Sequence, residues 1–96
     1  IWHGETAREK SDDYQDYWLE NGVSVLKARG ALQVEMLRED VGDITHFVTL
    51  SYWHSLDDMT GNGDADASRP HHLPRDREFL LALPERVQVL TVLQSG

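Results

Sequence analysis

Residues 43–55, DITHFVTLSYWHS, are the stretch that decides the fold of this chain. They are rich in β-branched and aromatic residues and contain neither glycine nor proline, which predicts a strand. Successive side chains of a strand point to opposite faces. One face would carry Ile44, His46, Val48, Leu50 and Tyr52, and the other Thr45, Phe47, Thr49, Ser51 and Trp53. Because both faces hold apolar residues, we expect a strand that is covered on both sides.

The two faces differ in chemistry. The odd-numbered face mixes small hydroxyl side chains with two large rings, which is more typical of a lined cavity than of a tight core. We therefore expect Phe47, Thr49, Ser51 and Trp53 to turn toward the helices and any pocket. The even-numbered face, with Val48, Leu50 and Tyr52 among its members, would then meet the sheet of a partner subunit.

Further elements are predicted on either side of this strand. Asp40-Val41-Gly42-Asp43 has turn chemistry and predicts a hairpin with the strand before it. Gly22 lies inside the first helical pattern and could interrupt or bend that helix. The predicted elements are a strand at 1–6, a helix from Ser11 or Asp12 to about Arg29, a strand at 31–39, a short helix at 56–59, a long loop at 60–70, a helix at 76–83 and a two-sided final strand at 87–93.

This order of elements predicts the fold class. Strand, helix, strand, strand, helical segments and strand make the split βαβ pattern of ferredoxin-like α+β domains with an antiparallel sheet. Residues 1–96 would form one such domain. Helices on one face of the sheet leave the other face uncovered. Since Leu32, Val34 and Met36 are apolar, we expect a homodimer joined sheet to sheet.

Composition excludes several classes of partner. The formal net charge of −8 repels phosphate backbones and argues against nucleic acid as a partner. The chain has no cysteine, which excludes disulfides and thiolate ligands and is typical of the cytoplasm. No apolar run approaches the length of a membrane span, so no membrane partner is expected.

Three stretches resemble a known family. They are Ile1-Trp2-His3-Gly4, the hairpin at 37–43, and Phe47 to Leu56 with its Trp53-x-Ser55-Leu56 ending. They are similar to proteins of the antibiotic biosynthesis monooxygenase type, in the dimeric α+β barrel superfamily. The resemblance covers nearly the whole chain and implies a dimeric α+β barrel. For activity it implies a cofactor-free monooxygenase acting on an aromatic or quinol-like compound, whose pocket would lie between helix and sheet.

The heme-degrading branch of that superfamily supplies an alternative. The functional residues of that branch are a Trp on the third strand, an Asn on the first strand and a His on a helix. Trp53 matches the Trp, whereas the first strand offers His3 or Glu5 in place of the Asn. His71 or His72 lies in roughly the region of the heme-ligating His. A non-catalytic dimer that binds heme or another small molecule therefore stays open as a second hypothesis.

The candidate site residues follow from residue type and position. His3 and His46 are candidate catalytic residues because histidine suits proton transfer near neutral pH, and Trp53 is the third candidate. The expected pocket lining is Tyr14, Trp18, Phe47, Thr49, Ser51, His71 and His72. Ordinary packing is the competing interpretation of the aromatic residues. For the histidines, the competing interpretation is a structural or solvated role.

No metal site and no cofactor are expected. Adjacent residues such as His71 and His72 point apart on regular structure and are not expected to bind one ion. The acidic residues between Asp57 and Asp66 lack the spacing of a calcium loop. The enzyme hypothesis predicts a cavity between the first helix and the sheet, with Trp53 and at least one histidine at its wall.

Overall fold

The computed structural model describes residues 1–60 and 73–95. These residues form an α+β arrangement with a three-stranded antiparallel sheet. In chain order the elements are β1 (Trp2–Ala7), a 3₁₀ helix (Arg8–Lys10), α1 (Ser11–Ala28), β2 (Gln33–Val41), β3 (Ile44–Tyr52), α2 (Leu56–Thr60) and α3 (Asp76–Phe79).

The stretch at 43–55 supplies the central strand. The strand order is β1-β3-β2, and β3 pairs antiparallel with both neighbours. Gly4 of β1 lies opposite Phe47, and Val41 of β2 lies opposite Ile44 beside the hairpin turn. The turn places Gly42 at a φ of 60°, a left-handed conformation that glycine adopts at little cost. The predicted hairpin between β2 and β3 is therefore present.

Helix α1 covers the odd-numbered face of β3. Tyr14, Trp18, Phe47 and Leu80 form the buried core, and the rings of Tyr14 and Phe47 meet edge to face with centroids 5.1 Å apart. Thr45 and Thr49 are buried on the same side of the sheet. Phe47 and its odd-numbered neighbours thus face the helices, as the alternation predicts.

Helix α1 runs without interruption through Gly22, although the sequence allowed a break there. Gly22 is buried, and a Cβ at this position would lie 2.6 Å from Cε2 of the Trp18 ring. The glycine therefore makes room for a tryptophan one turn earlier in the same helix. Its role is close packing, and the helix keeps its direction.

The other face of the sheet carries no helix from the described residues. We call this surface the open face; its members are His3, Glu5, Ala7, Gln33, Glu35, Leu37, Glu39, Val41, Ile44, His46, Val48, Leu50 and Tyr52. Leu37 and Val41 keep 46% and 58% of their surface exposed. Val34 and Met36, which the sequence placed toward a partner, instead pack against the core, and Leu32 precedes the strand.

The C-terminal segment differs from the prediction. Helix α3 ends at Phe79, earlier than expected, because Leu80 turns to extended backbone and forms an isolated bridge with Thr6. Residues 87–93 form no strand. Gln88 exchanges two backbone hydrogen bonds with Ile1, but the segment adds no further ladder to β1. Most of the predicted loop at 60–70 lies outside the described residues.

No helix in the described ranges is both long and apolar enough to cross a membrane.

Candidate functional site

A cavity of about 770 Å³ lies between helix α1, the end of β3 and the C-terminal segment. Its walls include Trp2, Trp18 and Trp53, which are all three tryptophans of the chain. Each ring comes from a different element: Trp2 from β1, Trp18 from α1, and Trp53 from the residue after β3. Apolar side chains of the C-terminal segment, such as Val87 and Leu90, complete the wall. The cavity is therefore mainly aromatic and aliphatic.

Two side chains hold the indole of Trp53 in place. Its Nε1 donates a hydrogen bond of 2.9 Å to Oγ of Ser51, two residues earlier on the same face. The guanidinium of Arg29 lies over the ring, 5.9 Å from its centroid. Arg29 itself donates a hydrogen bond of 3.0 Å to the carbonyl of Met59. The ring is thus fixed by a hydrogen bond at its edge and a cation at its face.

The hydroxyl of Thr49 is the least satisfied polar group on this wall. Thr49 is 3% exposed, and its Oγ1 has no hydrogen-bond partner within the described part of the chain. A buried hydroxyl normally has a partner, because leaving it unpaired costs about 1–3 kcal/mol. Thr6 also carries a buried hydroxyl without a partner there, but Thr6 does not line the cavity. Thr49 is therefore a buried, unpaired polar group in the wall of the cavity.

Two titratable wall residues, Asp76 and His54, were not among the sequence-based candidates. Asp76 is 3% exposed, and its Oδ2 accepts a 2.8 Å hydrogen bond from the backbone N–H of Leu73. In the sequence, Asp76 is simply an acidic residue at the start of the predicted helix at 76–83. An acidic residue commonly stabilises a helix at that position. His54 follows Trp53 directly, so the alternation assigned it to neither candidate set. Only the fold brings these two side chains to the same cavity.

The structure divides the other predicted pocket residues. Trp18, Thr49, Ser51 and Trp53 line the cavity. Tyr14 and Phe47 are fully buried in the core beside it and do not line it. Burial, and then the negative charge of Asp76, raise the pKa of Tyr14 far above its usual range, so this phenol stays protonated. Tyr14 and Phe47 are packing residues, since their rings meet where α1 contacts the sheet.

The predicted proton-handling histidines lie elsewhere. His3 and His46 are both on the open face, so the sheet separates them from the cavity. Strand alternation explains this, because Phe47 and Thr49 take the helix-facing positions and His46 must take the opposite one. His71 and His72 fall outside the described residues. Trp53 is the one predicted catalytic residue at the cavity wall.

Residues 1–60 and 73–95 contain no group of three or more His, Asp or Glu side chains arranged to hold a metal ion. A second, smaller depression of about 320 Å³ lies on the outer side of α1. It is lined by Asp13, Asp16, Tyr17, Glu20, Arg75 and Phe79. Arg75 is paired there with Glu78 at 2.7 Å, so the depression is a charged surface groove.

Comparisons with family models, with curated proteins and with solved structures gave no match to this chain.

Proposed function

We propose that this chain is a small oxygenase of the antibiotic biosynthesis monooxygenase type, built as a dimeric, ferredoxin-like α+β barrel. It would bind a flat aromatic or quinol-like compound in the cavity beside α1 and oxidise it with dioxygen, without a cofactor. The observation that carries the proposal is the cavity of about 770 Å³ lined by all three tryptophans of the chain.

The size and chemistry of the cavity support an aromatic guest. Small-molecule sites usually measure about 300–1,000 Å³ and combine apolar walls with a few polar groups. Here the apolar walls include three indoles, which favour stacked or edge contacts with another ring. Thr49 and Ser51 add hydroxyl groups to this wall, and the Ser51 hydroxyl accepts a hydrogen bond from the indole of Trp53. A phenolic or carbonyl oxygen on the guest would pair with Thr49 after a small rearrangement of the wall, since the Thr49 hydroxyl is buried without a guest.

The proposed reaction converts an activated methylene between aromatic rings to a ketone. A base removes a proton from the methylene carbon, and the resulting carbanion reacts with dioxygen. One oxygen atom forms the new carbonyl and the other leaves as water, so one dioxygen is used for each ketone formed. The two C–H bonds of the substrate supply all four electrons, and no external reductant is required.

The wall offers two groups that can accept the proton. His54 and Asp76 are both residues of the cavity wall, whereas His3 and His46 are not. Asp76 is almost completely buried at the wall of the cavity. We therefore assign proton removal to Asp76 or His54 in place of His3 or His46.

The open face supports the proposed dimer. Leu37, Val41 and Ile44 remain more than a third exposed there, and Val48 lies opposite Leu37. Leu50 and Tyr52 belong to the same face but also line the cavity. Monomeric soluble proteins seldom expose large contiguous apolar patches. A second copy of the same sheet would cover these side chains through a two-fold, self-complementary contact.

The test uses anthrone, whose central methylene is flanked by two aromatic rings. With wild-type protein in air, we expect anthraquinone to form faster than in buffer alone, with one dioxygen consumed per product. Because general-base catalysis contributes about 10²–10⁴-fold, either Asp76→Asn or His54→Gln should lose about 100-fold in rate. Thr6→Val is the control, since Thr6 is buried on strand β1 but does not line the cavity.

A wild-type rate equal to that of buffer would contradict oxygenase activity. So would full activity in both Asp76→Asn and His54→Gln. The side-chain amide introduced by Asp76→Asn keeps an oxygen that can accept the hydrogen bond from Leu73, so the start of α3 should be preserved in that variant.

Binding without catalysis is the second candidate function. It is favoured by one observation, namely that both histidines expected to act as bases face away from the cavity. In that case the protein would bind the aromatic compound, or heme, in the same cavity and leave it unchanged. Saturable binding without any oxygen uptake would select this alternative.

A further inference from the structure

Two histidines meet on the open face of the sheet, on the side opposite the cavity. Nδ1 of His3 lies 3.3 Å from Nε2 of His46, and the ring centroids are 5.4 Å apart. In the register of β1 and β3, His3 is opposite Val48, so His46 is its diagonal neighbour. Long side chains at such diagonal positions can reach each other. The pair therefore follows directly from the pairing of the two strands.

The separation of the two nitrogens matches the bite of a tetrahedral zinc ion. Zinc binds imidazole nitrogen at about 2.0–2.1 Å, and a tetrahedral angle between two such bonds separates the nitrogens by about 3.3–3.4 Å. A hydrogen bond between the rings spans the same distance, with one nitrogen donating and the other accepting. Zinc would take the place of that shared proton, and both nitrogens would then act as acceptors.

Two carboxylates flank the histidine pair. Glu5 on β1 and Glu39 on β2 lie directly opposite His46 from either side. Side chains at directly opposite positions have Cβ atoms about 4.5–5.5 Å apart, which a change of Glu rotamer can span. Both Glu5 and Glu39 are exposed in the single chain. Each can supply a carboxylate oxygen, a normal zinc ligand.

We propose that the open face binds one zinc ion per chain through Nδ1 of His3 and Nε2 of His46. A carboxylate of Glu5 or Glu39 and water complete the coordination. Since the described residues hold no preformed group of three ligands, the histidine pair captures the ion first and a glutamate then turns toward it. The site stands on its own geometry and is independent of the cavity and its proposed chemistry; in the proposed dimer it would lie within the sheet-to-sheet contact.

The test is a titration of the purified chain with zinc chloride, followed by calorimetry, with cobalt(II) as a spectroscopic substitute. We expect one zinc per chain and visible absorption bands of tetrahedral cobalt. His46→Gln keeps a side chain that can hydrogen-bond to His3 but is a poor zinc ligand. It should weaken zinc binding by more than about tenfold, since even groups that only support a ligand are worth 10–100-fold.

His54→Ala is the matched control, because it removes an imidazole that lies outside the pair. We expect its zinc affinity to equal that of the wild type, and His3→Ala to behave as His46→Gln does. Glu5→Gln combined with Glu39→Gln should weaken binding less than either histidine variant. Undiminished binding in His46→Gln, or no saturable binding in the wild type, would overturn the proposal.

Discussion

Two glycines determine where two of the tryptophan rings of the cavity lie. A Cβ on Gly4 would clash with the ring of Trp2, and a Cβ on Gly22 would clash with the ring of Trp18. Both indoles line the cavity. Each ring can lie flat against the backbone only because the neighbouring residue has no side chain. The positions of these rings thus depend on glycine at residues 4 and 22.

Replacing Gly22 with alanine tests this dependence. In an exposed helix interior the change would stabilise the protein by about 1 kcal/mol. Here the new methyl group would meet the buried Trp18 ring, and overpacking of a core costs about 1–3 kcal/mol. The difference between the two effects is a loss of up to about 2 kcal/mol. We expect Gly22→Ala to lower the free energy of unfolding by up to that amount, as measured by urea denaturation.

The control is Asn21→Ala, one residue earlier on the exposed side of the same helix. That variant should be as stable as the wild type or slightly more stable, because alanine is the better helix former. If Gly22→Ala also proved more stable than the wild type, the packing of Trp18 against Gly22 would not be needed.

Among the elements, the β2–β3 hairpin and the helix-facing side of β3 could be predicted from sequence alone. Side chains alternate without a break from Ile44 to Tyr52, and Gly42 allows the left-handed turn. Both features depend only on residues close together in the chain, so they could be predicted without knowing the rest of the fold. The same alternation puts the side chains of His46 and Phe47 on opposite faces of the sheet. Both were candidates for one site in the sequence analysis, and that combination is wrong.

The final strand could not be predicted in the same way. Residues 87–93 have the right alternation, but a strand also needs a neighbour with which to form a ladder. In the single chain only Gln88 pairs with the backbone of Ile1, and Leu90, Val92 and Leu93 stay exposed. Asp76 was missed for a related reason, since its burial beside the cavity depends on how distant segments pack.

The open face of the sheet makes a prediction about assembly. If a second copy covers this face, then a charge introduced into it should separate the two copies. Leu37 is 46% exposed and lies opposite Val48 in the register. We expect the wild type to be a dimer and Leu37→Glu a monomer, as measured by sedimentation equilibrium.

Leu19→Glu provides the matched control, because Leu19 is 49% exposed but lies on helix α1. This variant should remain a dimer. A monomeric wild type would contradict the sheet-to-sheet dimer, and equal dissociation of both variants would show that the effect of the charge is not specific to the open face.

At the scale of the whole molecule, the sheet separates two surfaces of different chemistry. The helix-facing side holds the cavity, with three indoles, the Thr49 hydroxyl and the buried Asp76. The open face carries exposed apolar residues and the histidine pair His3 and His46. The central claim concerns the first of these surfaces, which we infer to bind a flat aromatic compound.

Tryptophan fluorescence measures such binding directly, because every tryptophan of the chain lines the cavity. The probe is anthraquinone-2-sulfonate, a soluble flat compound with carbonyl oxygens, and free N-acetyltryptophanamide reports collisional quenching. Thr49→Val removes the unpaired hydroxyl of the wall, whereas Thr6→Val removes an equally buried hydroxyl outside the cavity. Since a hydrogen bond contributes about 1 kcal/mol, Thr49→Val should bind about fivefold more weakly.

We predict saturable quenching in the wild type with the same Kd in Thr6→Val, and a Kd about fivefold higher in Thr49→Val. Quenching that rises linearly, as it does for free N-acetyltryptophanamide, would contradict a binding site for flat aromatic compounds in this cavity.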